Sequence, residues 1–242
     1  MLKETFLFKN RRADSMGVQL QAPVKISAAV PKVTALAIPG KNGDLHYFDG
    51  SFENREIKAN CFMLSERLNS DFSDVNSWLM GENGYFKFSL SEDENHYFFA
   101  RSVNGVEYNP RGGILNPFSL TFDAKPQRFL SVGERELEFD VTGNIEIYNP
   151  TGFAALPIVK VEGTGDIELT FTNGSKETTL SVTGLDGQIV FDSETRSAYN
   201  GGVFMNNYVL ADSCPILYPG KTEIEAVGNI SALKIIPRWW EL

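Results

Sequence analysis

Ile167-Glu168-Leu169-Thr170-Phe171 alternates strictly between apolar and polar residues, and Asn173-Gly174 follows it, ahead of a second run from Thr178. Alternation with period two places one set of side chains on a core and the other in water. Asn-Gly between two such runs is the dipeptide that a tight hairpin needs, because both central residues take positive φ. The stretch therefore predicts an antiparallel hairpin. Outward from it the pattern repeats. Glu136–Val141, Ile145–Tyr148 and Thr222–Val227 alternate in the same way, and Ile158–Val161 and Leu233–Ile236 read as shorter strands. Asp186-Gly187 reads as another hairpin turn. Short strands with turns about every ten residues predict an antiparallel β-sandwich over residues 134–242.

Towards the N-terminus, Thr5–Phe8, Val24–Ser27, Glu56–Phe62, Tyr85–Leu90 and Tyr97–Val103 are rich in aromatic and β-branched residues and read as strands. Phe118, Leu120 and Phe122 alternate before Pro126 ends the run. A single segment has helical spacing: Phe72, Val75, Trp78 and Leu79 form one stripe, with Asp71 or Ser73 as cap and Gly81 as a left-handed stop. This predicts a helix over about 72–80, laid across a sheet. The expected fold is all-β, mainly antiparallel, with one short helix, and with an N-terminal β domain over 1–133. Residues 21–39 stand apart. They carry Pro23, Pro31 and Pro39 among alanines and valines, which suits an extended edge or strap better than a central strand. Val24, Ile26, Val30, Val33, Leu36 and Ile38 are its apolar contact candidates; the alternative is that they complete the first domain's own core.

Charge divides along the same line. The net charge is −9 over 242 residues. Residues 1–133 hold fifteen basic and fifteen acidic side chains, and the rest hold seven and sixteen. Neither half has the basic excess that binding to phosphates requires, so nucleic-acid recognition is not expected. No apolar run reaches membrane-spanning length, and the first ten residues lack the apolar core of a secretory leader. Cys61 and Cys214 lie far apart and are expected as free thiols.

Chemistry-bearing patterns are scarce. The two histidines, His46 and His96, and the two cysteines have no zinc-ligand spacing, and no nucleophile elbow, phosphate loop or dinucleotide fingerprint occurs. No catalytic residue, metal or cofactor is expected, and the chain is not expected to be an enzyme. Tyr199 and Tyr208, among Asn200, Asn206 and Asn207, are candidate glycan contacts, with core packing as the alternative. Arg11, Arg12 and Arg111 are candidate partner contacts. The chain closes on Pro237-Arg238-Trp239-Trp240-Glu241-Leu242. Adjacent tryptophans in a strand point to opposite faces, so Trp239 and Trp240 are expected to anchor the terminus, one in a core and one on a second surface.

An ordered set of segments carries a resemblance: Ile38–Leu45 followed by Gly50–Asn54, Pro117–Phe129, Tyr148–Thr151, Pro157–Gly163, Gly184–Gly187, Tyr218–Gly220 and the Pro-Arg-Trp-Trp ending. In order and spacing they resemble the distal tail proteins of long-tailed phages that infect Gram-positive bacteria. That resemblance implies a tail-tube-like, ring-forming N-terminal domain whose extension embraces the adjacent subunit, and a galectin-like C-terminal sandwich. It implies a structural virion protein at the tail tip. A homo-hexameric ring would join the tail tube to the baseplate and receptor-binding proteins. The alternative function is a carbohydrate-binding adhesion module for the host wall.

Overall fold

A computed structural model describes residues 4–64, 68–107, 115–210, 212 and 214–242. The chain separates into two compact units, one ending at Arg128 and one running Phe129–Glu241. It is mostly antiparallel β with one α-helix among the described residues.

The first unit contains β1 (Phe6–Phe8), β2 (Arg11–Arg12), β3 (Val18–Leu20), β4 (Lys25–Ile26), β5 (Pro31–Ala37), β6 (Asp44–Phe52), β7 (Arg55–Leu64), α1 (Leu68–Met80), β8 (Phe86–Leu90), β9 (His96–Ser102) and β10 (Leu115–Ala124). Its main sheet runs β2-β1-β8-β9-β10-β7-β3, with β4 also paired to β7. The alternation of Phe118, Leu120 and Phe122 appears as expected: Leu120 and Phe122 are fully buried, and Phe118 packs partly against the same core. Phe6, Phe8, Phe88 and Phe122 form a ring cluster with centroids 5.0–5.6 Å apart. Trp78 lies over Phe6 at 6.1 Å and donates its indole N–H to the Phe8 carbonyl at 3.0 Å. That bond satisfies the one polar atom of an otherwise apolar group.

The helix carries the predicted stripe, with Phe72, Val75, Trp78 and Leu79 buried, but it begins at Leu68. Asp71 therefore sits inside the first turn, where its carboxylate faces the positive end of the helix dipole. Gly81 ends the helix without a left-handed conformation. Its N–H bonds Ser77 O at 2.9 Å, and a Cβ there would lie 2.4 Å from that oxygen. Steric room, and not a positive φ, is what glycine supplies.

The second unit contains β11 (Arg128–Leu130), β12 (Leu137–Phe139), β13 (Ile145–Asn149), β14 (Ile158–Asn173), β15 (Lys176–Asp192), β16 (Ser197–Asn200), β17 (Val203–Phe204), β18 (Gly220–Ile236) and β19 (Trp240–Glu241). Its sheet runs β12-β18-β14-β15-β16-β17, with β13 also on β18. The hairpin forms where expected, but Asn173 pairs with Lys176, so Gly174 and Ser175 make the turn and only Gly174, at φ +60°, is left-handed. The expectation of short strands fails here. β14, β15 and β18 are 16, 17 and 17 residues long. Asp186-Gly187 lies within β15, opposite Thr164 and Gly163, and is not a turn.

Glycine marks both turns and strand irregularities, and here it marks the latter. The register shifts at Glu162/Gly163 and between Thr164 and Glu168. A Cβ at Gly163 would meet Asn229 O at 2.3 Å, and one at Gly228 would meet Asp166 O at 2.5 Å. Residues from both halves of the long strands (Val159, Val161, Leu233 and Ile235; Leu169, Phe171, Leu180 and Ile224) share one core. The interrupted sheet thus supplies more than one wall of that core.

Both cysteines are free thiols. Cys61 is fully buried, and burial pushes its thiol up to about 12; Cys214 is half-buried. At pH 8 a thiol reagent is expected to label Cys214 in the folded protein and Cys61 only after unfolding. Two equally rapid modifications by mass spectrometry would contradict this.

Candidate functional site

β5 and β6 form a separate two-stranded sheet. The hairpin closes at its root through Glu53 N–H donating to Val30 O at 2.8 Å. At its tip, Lys41 N–H donates to Ile38 O at 3.1 Å across Pro39-Gly40, with Gly40 at φ +79°. Proline at the second position and a left-handed glycine at the third define a type II turn. Pro31 opens β5, where the lost N–H is tolerated.

Cross-strand partners share a face, and successive pairs alternate. Val33 with Phe48 and Ala35 with His46 lie on one face; Thr34 with Tyr47 and Leu36 with Leu45 lie on the other. Phe48 also meets Phe52 edge-on at 5.6 Å. Every residue of β5 is exposed, as is β6 up to Gly50. Val33, Leu36, Leu45, Tyr47 and Phe48 are 46–62% exposed, so apolar side chains stand in water on both faces. An isolated two-stranded hairpin is marginal in water, and contiguous exposed apolar surface marks an interaction site.

The six predicted contact residues divide. Val30, Val33, Leu36 and Ile38 are exposed on the hairpin. Val24 and Ile26 are half-buried and pack against the first unit's core, with Ile26 paired to Ile57. Leu45, Tyr47 and Phe48, outside the proline-punctuated segment, are not among the six; Gly40, Gly43 and Gly50 around them are turn residues by type. The run Leu45-His46-Tyr47-Phe48 between Gly43 and Gly50 was the available signal of a returning strand.

Asn54, at the exit of the hairpin, is held in a polar network. Its amide donates to Asp123 Oδ1 and to the Tyr85 hydroxyl, both at 2.8 Å. Tyr85 and Arg101 each donate to Asp123 Oδ2 at 2.9 Å. Burial pushes the Asp123 carboxyl up, but hydrogen bonds from Arg101, Asn54 and Tyr85 outweigh it and hold the group below its usual range. A depressed carboxyl contributes stability in full above its unfolded value of about 4 and loses it as pH falls through the lower folded value. Asp123→Asn is expected to flatten the loss of thermal stability on acidification below about pH 4. Parallel melting profiles for the two proteins across that range would contradict the assignment.

The remaining candidates lie elsewhere. Arg12 is paired with Asp14 at 2.9 Å, Arg11 is exposed, and Arg111 lies outside the described residues. Tyr199 is half-buried on β16, opposite Val190 and Phe204, whereas Tyr208 packs against the second unit's core. The two tyrosines belong to separate settings, and Phe204, at 75% exposure, is the prominent ring there. Trp239 is buried in the second unit's core. Trp240 stacks on Phe153 at 4.4 Å and donates to Ala154 O at 2.9 Å. Between strand and terminus, Arg238 adopts φ +58° and forks onto Asp192 with two 2.8 Å hydrogen bonds. No group of three or more His, Cys, Asp or Glu side chains among the described residues could hold a metal ion. No helix among them is long and apolar enough to cross a membrane.

No protein-family model matches the sequence, and no curated protein matches it. Seven solved chains match the structure. One is the crystal structure of the SPP1 Dit (gp 19.1) protein, described as a paradigm of the hub adsorption apparatus in Gram-positive infecting phages. The match covers 96% of this chain and 97% of that one, with a TM-score of 0.72 and 15% sequence identity. In fold, both units included, this chain is therefore similar to a phage tail hub protein over almost its full length.

Proposed function

We propose that this protein is a distal tail hub subunit of a long-tailed phage or prophage of Gram-positive bacteria. Its role is structural, at the tail tip of the virion. Six copies form a ring that joins the tail tube to the baseplate and receptor-binding proteins. The observation that carries the assembly reading is the β5–β6 hairpin, with apolar side chains exposed on both faces and neither outer edge paired among the described residues. Such an element gains stability by lying against another chain. A strap that docks head-to-tail onto the next copy generates a closed ring when the rotation fits. The equal numbers of acidic and basic residues in 1–133 let copies of that half approach without strong repulsion. The acidic second half gives the assembly a soluble exterior.

Light scattering coupled to gel filtration, with negative-stain imaging, tests this. The wild type is expected to give a six-fold ring, and Val33→Asp/Phe48→Asp a monomer with an unchanged melting temperature. A wild type that stays monomeric at every concentration would remove self-assembly through the hairpin. A variant that still forms rings would remove the hairpin from the interface.

A further inference from the structure

Five asparagines precede a glycine: Asn42, Asn83, Asn104, Asn173 and Asn200. Such a step carries its own reaction, because no side chain shields the glycine nitrogen from the carboxamide before it. Attack succeeds only from a near-attack geometry, which both groups must be free to reach. The structure separates the five on that criterion. Three hydrogen bonds hold the Asn104 carboxamide: Nδ2 donates to Ser119 O at 2.8 Å and to Gly105 O at 3.3 Å, and Oδ1 accepts from the Thr121 N–H at 2.7 Å. Asn173 Nδ2 donates to Lys221 O at 2.7 Å and to Pro219 O at 3.1 Å. Asn200 is half-buried at the end of β16, in register with Val203. Asn83 is exposed, but the Phe86 ring packs against Gly84, 3.7 Å from where a Cβ there would stand. Of the five, Asn42 alone is exposed, makes no carboxamide hydrogen bond among the described residues, and precedes a glycine whose Cβ position has nothing within 4 Å. The Gly43 N–H donates to no backbone carbonyl among those residues either.

We propose that Asn42 is a site of spontaneous deamidation, placed at the tip of the β5–β6 hairpin. The Gly43 backbone nitrogen gives its proton to base in the solvent and attacks Asn42 Cγ. A C–N bond forms, the Cγ–Nδ2 bond breaks, and ammonia leaves after taking up a proton. The product is a five-membered succinimide. Water then adds to one of its two carbonyls, and the ring opens to aspartate or isoaspartate. The sum is hydrolysis of one amide by one water, with nothing oxidised or reduced. Either product puts a new carboxylate close to Asp44. Isoaspartate also routes the main chain through the side-chain carbon and lengthens the loop by a methylene. That loop joins Ala37 to its partner Asp44, and loop length fixes the register of a hairpin. The modification therefore acts on the apolar strap itself. Its consequence for assembly rests on the hairpin's proposed role in the ring; the reaction does not.

Peptide mapping by mass spectrometry, on the full chain incubated at mildly alkaline pH, tests the site. The peptide holding Asn42 is expected to gain the mass of an amide-to-acid exchange at least tenfold faster than those holding Asn104 and Asn173. Asn42→Gln is expected to abolish that gain, since its cyclisation needs a larger ring; an undiminished gain would place the reaction elsewhere and overturn the inference. The Val33→Asp/Phe48→Asp variant reports the same step with the tip kept in water. Fast conversion in that variant and slow conversion in the wild type would support the site and show the tip covered by assembly. Slow conversion in both would overturn the inference. So would conversion of Asn104 or Asn173 at the rate of Asn42, because their hydrogen bonds would then not govern reactivity. Rings that form equally well from converted and unconverted protein, by gel filtration, would overturn the consequence for assembly and leave the reaction standing.

Discussion

Phe122→Ala is expected to lower the stability of the first unit by about 3–5 kcal/mol, the range for removing a large aromatic from a packed core. Phe122 is fully buried at the centre of the aromatic cluster, with Phe6, Phe8 and Phe88 all within 5.6 Å. Its removal opens a cavity bordered by rings that are themselves held by the sheet, so collapse to fill the gap is restricted. It also removes three ring–ring contacts at once, each favourable beyond the area it buries. Urea unfolding followed by near-ultraviolet circular dichroism and Trp78 fluorescence should show a midpoint shift without a change in slope. A loss below about 1 kcal/mol would mean that the cluster repacks, contrary to a rigid centre.

Trp239→Ala is expected to be of similar size, about 3–5 kcal/mol, and to act on the second unit. The ring is 5% exposed in the core that Val159, Leu233 and Ile235 also form. The backbone around it is equally committed. Leu130 N–H donates to Trp239 O, and Arg238 N–H to Gly133 O, both at 2.9 Å. Arg238 is held at positive φ, a conformation that a non-glycine residue keeps only when its surroundings enforce it. The paired hydrogen bonds to Asp192 supply that enforcement. Without the Trp239 ring, the terminal segment loses its main apolar anchor. The discriminating measurement is hydrogen exchange: amides of β11 and β19 should lose protection in Trp239→Ala before those of β14. Uniform loss across the second unit would show that the terminus unfolds only with the rest.

Much of this architecture was legible in single residues. The alternation in Ile167–Phe171 and Phe118–Phe122 and the helical stripe through Trp78 each became the predicted element, and the hairpin after Phe171 formed with its turn one residue further on, at Gly174-Ser175, because side-chain period and turn chemistry are local properties. The proline-punctuated segment was legible as an edge strand, since Pro31 and Pro39 occupy the positions that proline tolerates there. Its return strand was not, because Leu45, Tyr47 and Phe48 lie between Gly43 and Gly50, residues that as readily mark a turn as a strand.

Tertiary structure decided the rest. Local chemistry cannot tell whether glycine bends a strand or ends it; the choice at Gly163 and Gly228 depends on how closely neighbouring strands approach. Nor can it tell which apolar residues find a core. Ile26 and Leu36 are equally apolar in sequence, yet one pairs with Ile57 over the first unit's core and the other stands in water. Periodicity establishes which side chains share a face, but burial depends on what lies opposite that face, and that follows from contacts between residues far apart in the chain.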